Sequence, residues 1–168
     1  MEAIHIPRLA KAPEQTEIIQ VQEFISGLDT LTPVRGRLVV SHKGNYLEVV
    51  AQAETIVTLT CHRCLQQYNH RLSLNTSEMI WLDEAANQPD AGPLERETSL
   101  DDLVEALPPQ GYFQPNVWLY EQLCLALPGR QLCDNNCSGI PPLDSVAPEV
   151  SSDRRWNALE ALKRQLPS

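Results

Sequence analysis

The chain has 168 residues, a hydrophobic fraction of 42% and a formal charge of −9. That is enough apolar material for one ordinary domain with a core, while the acidity excludes a broad, nonspecific phosphate-binding surface, which runs on Lys and Arg. No apolar run approaches the roughly 20 residues of a transmembrane helix, and Met1-Glu2-Ala3-Ile4-His5 lacks the basic-then-apolar order of a secretory signal. No membrane association and a cytoplasmic location are therefore expected.

Residues 1–33 read as N-terminal strands and a loop. Ile4 to Leu9 is expected as a short edge strand ending near Pro7, Glu17 to Gln22 as a second strand with weak alternation, and Gly27 to Pro33 as a loop. The clearest β signal follows. Val34 to Ser41 leads into the turn-type cluster Lys43-Gly44-Asn45, and Tyr46 to Thr60 then runs without glycine or proline. Leu47, Val49, Ala51, Ala53, Thr55, Val57 and Leu59 share one face, and Glu48, Gln52, Glu54, Thr58 and Thr60 fall on the other. Period two over this length indicates an antiparallel sheet with one buried face. The run exceeds a usual strand, which predicts a bulge or bend near Ala53. Cys61 continues the buried parity. Tyr68 to Trp81 reads as the next strand, with Leu72 and Leu74 alternating before the phase slips to Met79 and Trp81.

From Asp83 to Glu97 the composition turns acidic and proline-containing, as in a surface loop. Ser99 and Asp102 make a weak acidic relative of a capping box, ahead of a short amphipathic helix spaced by Leu100, Leu103, Val104 and Leu107. A further helix is expected with Asn116 as N-cap and Val117 to Leu127 as body. Its apolar residues surround nearly the whole circumference, which predicts burial against the sheet or another helix. Residues 34–139 thus form a core of sheet, acidic loop and helices. Residues 140–168 add a proline-rich linker and a last helix with Trp156, Leu159, Leu162 and Leu166 in one stripe. The fold class is α+β: an antiparallel sheet from residues 34–81 with C-terminal helices, clipped by a four-cysteine zinc site.

That clip rests on Cys61-His62-Arg63-Cys64 and Cys133-Asp134-Asn135-Asn136-Cys137. Five cysteines are an odd number, and in a reducing compartment a disulfide framework is a poor reading. Four thiolates in two short clusters are instead the donor set of a closed, structural Zn2+ site. The two-residue spacer turns both sulfurs toward one ion, and the three-residue spacer does so with a looser knuckle. Ordinary unpaired thiols are the plain alternative, because a C-x-x-C arises by chance. The rival chemistry is thiol–disulfide exchange by Cys61 and Cys64, with Arg63 lowering a thiolate pKa. The strand-to-helix context of such enzymes is missing here. Convergence of all four sulfurs, or of Cys61 and Cys64 alone, separates the two chemical readings. Cys124, between Leu123 and Leu125, reads as a core residue.

There is no phosphate-binding glycine loop and no nucleophile with an identifiable base, so neither an enzyme nor a small-molecule substrate is expected. Charge is uneven, however. Arg35, Arg37, Lys43, Arg63 and Arg71 stand against only Glu48 and Glu54 within residues 35–71. These five are candidate RNA-phosphate contacts, with a solvated, partly neutralised sheet face as the alternative reading.

Three stretches together resemble the YceD-like family, the large ribosomal RNA subunit accumulation proteins of bacteria and plastids. They are Thr60 to Leu65, entered from a long strand preceded by Gly36-Arg37-Leu38; Glu121 to Pro128, which leads to Leu132-Cys133 and Cys137-Ser138-Gly139; and Asp153 to Leu159. The resemblance implies a noncatalytic factor supporting large-subunit ribosomal RNA accumulation or maturation, through RNA or a ribosome-assembly protein. The family's metal-like cysteines map onto Cys61, Cys64, Cys133 and Cys137. The insert from Leu107 to Val117 is similar to the cyanobacterial and chloroplast branch. Many relatives continue with a further cysteine-containing segment where Ile140-Pro141-Pro142-Leu143 stands here, so no second metal is expected.

Overall fold

In the computed structural model, which describes residues 1–87 and 105–140, the chain begins with β1 (Ile4–His5), α1 (Ile6–Leu9), β2 (Thr16–Glu23) and β3 (Val34–His42). It continues through β4 (Tyr46–Thr60), β5 (Gln67–Leu82), β6 (Ala106–Leu107), β7 (Tyr112–Phe113) and α2 (Pro115–Leu125). The main sheet has the order β2-β3-β4-β5-β6, and β1 pairs with β7 in a two-stranded ribbon. All pairings are antiparallel except β5 with β6. The expected α+β architecture is present.

The alternation in β4 places every odd position from Leu47 to Leu59 inside, Thr55 included. Thr55 satisfies its buried hydroxyl by donating to the Thr32 carbonyl at 2.7 Å. The expected bulge near Ala53 is absent: the register with β5 runs unbroken from Tyr46 opposite Trp81 to Thr60 opposite Gln67. Accommodation occurs in the neighbouring strand instead. Gly36 lies opposite Ala53, and a Cβ at Gly36 would fall 2.1 Å from the Gln52 carbonyl oxygen and 2.6 Å from Ala53 Cα.

The phase of β5 does not slip either. Leu72, Leu74 and Ile80 are buried, while Met79 and Trp81 sit on the outer face with 58% and 40% exposure. Thr76 and Glu78 occupy the intervening inner positions, which hides the alternation from a reading of apolar residues alone. Glu78 has a structural use there. Its Oε2 accepts hydrogen bonds from Trp118 Nε1 at 2.5 Å and Gln122 Nε2 at 2.9 Å, fixing α2 over the inner face.

Helix α2 buries Trp118, Leu119 and Leu123. Its opposite side is open, with Val117 and Leu125 exposed at 47% and 78%, so the expected all-round burial gives way to one-sided packing. Cys124 is accordingly half-buried and no core residue. The helix starts two residues earlier than expected: Gln114 is the N-cap, Pro115 supplies a preset helical φ in the first turn, and the Asn116 amide donates to the Met1 carbonyl at 3.2 Å.

Two other expectations change. Pro7 opens α1 instead of ending a strand, leaving only Ile4–His5 extended. Ala106–Leu107, expected at the end of a helix, is a strand, because backbone N–H groups at the end of β5 take up its carbonyls: Trp81 donates to Glu105 at 3.0 Å and Asp83 to Leu107 at 2.9 Å. The positions Leu100 to Val104 of that helix, most of the acidic loop and the last helix lie outside the described residues. Among the described residues no helix is long and apolar enough to cross a membrane.

The close approach at Gly36 predicts that Gly36→Ala destabilises the fold by about 2 kcal/mol, as overpacking of a filled site does. Urea unfolding followed by circular dichroism measures it, and an unchanged midpoint would refute the packing account.

Candidate metal centre

Cys61 is the first residue after β4 and the last of its inward-facing positions, and it is fully buried. Its backbone closes the hairpin to β5: Cys61 N–H donates to Gln66 O at 2.9 Å, and Leu65 N–H donates to Cys61 O at 3.0 Å. Leu65 takes a left-handed φ of 61°, a conformation normally left to glycine, and this tight turn carries Cys64 to the same side as Cys61.

The second cysteine loop follows α2 and is held against the first by backbone pairing. His62 N–H donates to Gln131 O at 2.8 Å, and Gln131 N–H donates to His62 Nδ1 at 3.4 Å. Within this loop, Asp134 folds the spacer into an Asx turn, its Oδ1 accepting from Asn136 N–H at 2.7 Å and its carbonyl from Cys137 N–H at 3.1 Å. Arg63 Nη1 completes the bracket by donating to Cys137 O at 3.0 Å. The Asp two residues before Asn136 was the one legible signal for this turn; the Gln131 contact had none.

These loops bring all four paired sulfurs within 4.8 Å of one another. Cys61 and Cys137 are 3.8 Å apart at sulfur, and Cys64 and Cys133 are 3.7 Å apart. Metal–sulfur bonds of about 2.3 Å in a tetrahedron require sulfur–sulfur edges of about 3.8 Å. A disulfide needs about 2.05 Å, and all five cysteines are free. The cluster thus has the donor chemistry of a four-thiolate metal site, with two edges at the tetrahedral length and all four sulfurs close enough to share one ion.

Electrostatics within the cluster is graded. The N–H groups of Cys64, Cys133 and Arg63 point at Cys61 and lower its thiol from 9.0 to about 5, outweighing burial. Cys64 receives an N–H from Gln66, yet burial and the sulfurs of Cys61 and Cys137 leave it net raised. Sulfur contacts with Cys137, Cys64 and Cys61 push Cys133 up to about 12.

A family model, that of the large ribosomal RNA subunit accumulation protein YceD, matches residues 49–163. The chain belongs to the YceD family. The match takes in β4 from Val49 onward, both cysteine loops and α2, the parts that build the sulfur cluster. No curated protein and no solved structure matches this YceD chain.

The five basic residues do not form one patch. Arg35 and Arg37 project from the outer face of β3. Arg71 on β5 shares that face and pairs with Glu54 at 2.5 Å. Lys43 lies at the other end of β4 from the cysteines and pairs with Glu48 at 3.4 Å. Arg63 belongs to the cysteine bracket. Among the described residues, Arg35 and Arg37 have no ion-pair partner.

Cys133→Ser is expected to abolish metal retention by this cluster, measured as metal bound per chain by native mass spectrometry of the variant beside the unaltered protein. A chelator should then lower the melting midpoint of the unaltered protein and leave the variant unmoved. Stoichiometric zinc on the variant would exclude a four-sulfur site. In the metal-free protein, ultraviolet thiolate absorbance should show one thiol ionising near pH 5 and another near pH 12. For linkage, the lowered Cys61 stabilises the metal-free fold fully above pH 9 and loses that contribution as pH falls toward 5. The raised Cys133 contributes fully below pH 9 and loses it as pH rises toward 12.

Proposed function

We propose that this YceD protein is a noncatalytic, cytoplasmic factor that supports accumulation of large-subunit ribosomal RNA by binding RNA. Cys61, Cys64, Cys133 and Cys137 would hold a structural zinc ion that clips the β4–β5 turn to the loop after α2. The convergence of four sulfurs carries the noncatalytic half of this reading. A closed tetrahedron leaves no coordination position for a substrate or water. It also weighs against thiol–disulfide exchange by Cys61 and Cys64 as an isolated pair, because Cys137 lies 3.8 Å from the first sulfur and Cys133 3.7 Å from the second.

Family membership carries the biological half. The insert between Leu107 and Val117 contains β7, which pairs with β1, and the likeness of its sequence to the cyanobacterial and chloroplast branch is the support for proposing that branch. Of the basic residues, Arg35 and Arg37 are the best phosphate contacts, since Lys43 and Arg71 are paired with acids and Arg63 is engaged at Cys137. A ribosome-assembly protein is the second partner to consider, because Phe24, Val117 and Leu125 expose apolar surface near α2 at 62%, 47% and 78%.

Fluorescence anisotropy with large-subunit ribosomal RNA fragments at several salt concentrations tests the RNA contact. The unaltered protein should bind, and Arg35→Gln with Arg37→Gln should weaken binding and flatten the log–log salt slope by about 0.7 per lost contact. Absence of binding by either protein would remove direct RNA recognition and move the role to the protein partner.

A further inference from the structure

The outer face of the sheet carries a row of hydrogen-bonding side chains that the fold does not use. Gln20 on β2 stands opposite Arg37 on β3, Arg37 opposite Gln52 on β4, and Gln52 opposite Asn75 on β5. All four are exposed. None of their side chains has a hydrogen-bond or ion-pair partner among the described residues. Adjacent strands are about 4.8 Å apart, so the row spans about 14 Å across the strands. Beside it a depression of about 500 Å3 crosses the central strands, lined by Arg35, Gln52, Glu54, Ser73 and Asn75 among others. Gly36 helps form its floor, and Arg71 neutralises Glu54 at its edge.

Three planar amides and a guanidinium in one line are an unusual set to leave exposed together. A protein-docking surface depends on apolar or aromatic anchors at its centre, and this row has none. What these groups match is the edge of a purine. A guanidinium donates two parallel hydrogen bonds to guanine O6 and N7, and a Gln or Asn amide both accepts from and donates to adenine N6 and N7. Such edges are accessible where bases are unpaired and splayed onto a surface, the usual mode of sequence-specific RNA recognition. The next row toward β5's far end is Ile18, Val39, Val50 and Ser77. It offers apolar surface against which a base face can lie.

We propose that the row Gln20–Arg37–Gln52–Asn75 reads purine bases of single-stranded RNA, with Arg35 and Arg37 also meeting the backbone. This rests on the RNA-binding reading above and adds to it a class of sequence. The row does not involve the sulfur cluster, so zinc content should be independent of it.

The test is fluorescence anisotropy of the full chain with four octaribonucleotides: all A, alternating G and A, all C and all U. The two purine octamers should bind roughly tenfold tighter than the pyrimidine ones. In Gln52→Ala with Asn75→Ala that preference should shrink to below about threefold, while affinity for the U octamer holds. Circular dichroism melting and zinc content of the variant establish that it is folded. Equal binding of all four octamers, or a purine preference that survives in the folded variant, overturns the row and leaves RNA binding standing. If no octamer binds and ribosomal RNA fragments do not bind either, the RNA reading itself falls. A variant that loses all octamers equally also overturns base reading, because the amides would then act only as generic contacts.

Discussion

Period two is a rigid constraint in β4, and both the core and the sulfur cluster depend on it. From Leu47 to Leu59 the inward positions are all buried, and the next inward position is Cys61. A slip of one residue against β3 or β5 would turn Leu47, Val49, Val57 and Leu59 to the solvent side. The same slip would aim Cys61 at the outer face, away from Cys137. Pairing along the whole length of β5 and Gly36 packed against Ala53 hold that register. Placement of the first sulfur is therefore a by-product of burying the core.

What was legible follows from the same rule. Wherever alternation was carried by apolar residues, as in β4, the strand and its buried face could be read directly, and Glu17 to Gln22 was recognised despite weaker contrast. Where an inward position holds a polar group with a specific partner, the pattern misleads. Glu78 interrupts β5 because it anchors Trp118 and Gln122, a contact that joins residues far apart in sequence. The start of α2 was misplaced because Pro115 can begin a helix without a side-chain cap, and Asn116 was needed elsewhere. Ala106–Leu107 was misread because two residues have no periodicity, and only the open edge of β5 makes them a strand. The four cysteines were legible from spacing. Their convergence, expected from the same spacing, is present, whereas the seating of the second loop by His62 and Gln131 left no mark in the sequence.

Charge is sorted by the sheet. Arg35 and Arg37 occupy the outer face, whereas Glu78, Glu105 and Glu121 gather on the side covered by α2. Burial, together with the carboxylates of Glu78 and Glu121, raises the pKa of Glu105. The net charge of −9 for the whole chain is therefore a poor guide to the charge of the outer face. Over distances beyond the Debye length, about 8 Å at physiological ionic strength, a polyanion approaching the outer face meets its local arginines more than the total charge. Global acidity and a local anion-facing surface are compatible for this reason.

Cysteine placement is set by the β4–β5 turn and by the loop after α2. Cys64 and Cys133 meet at sulfur although 69 positions separate them in the chain. A shared ion would therefore act on the unfolded chain as well as on the folded one, by forbidding it the conformations in which these two positions are far apart. The entropy of such a closure grows only logarithmically, by about 0.6 kcal/mol for each doubling of the span. The restraint would accordingly depend on the presence of the four sulfurs far more than on the number of residues between them.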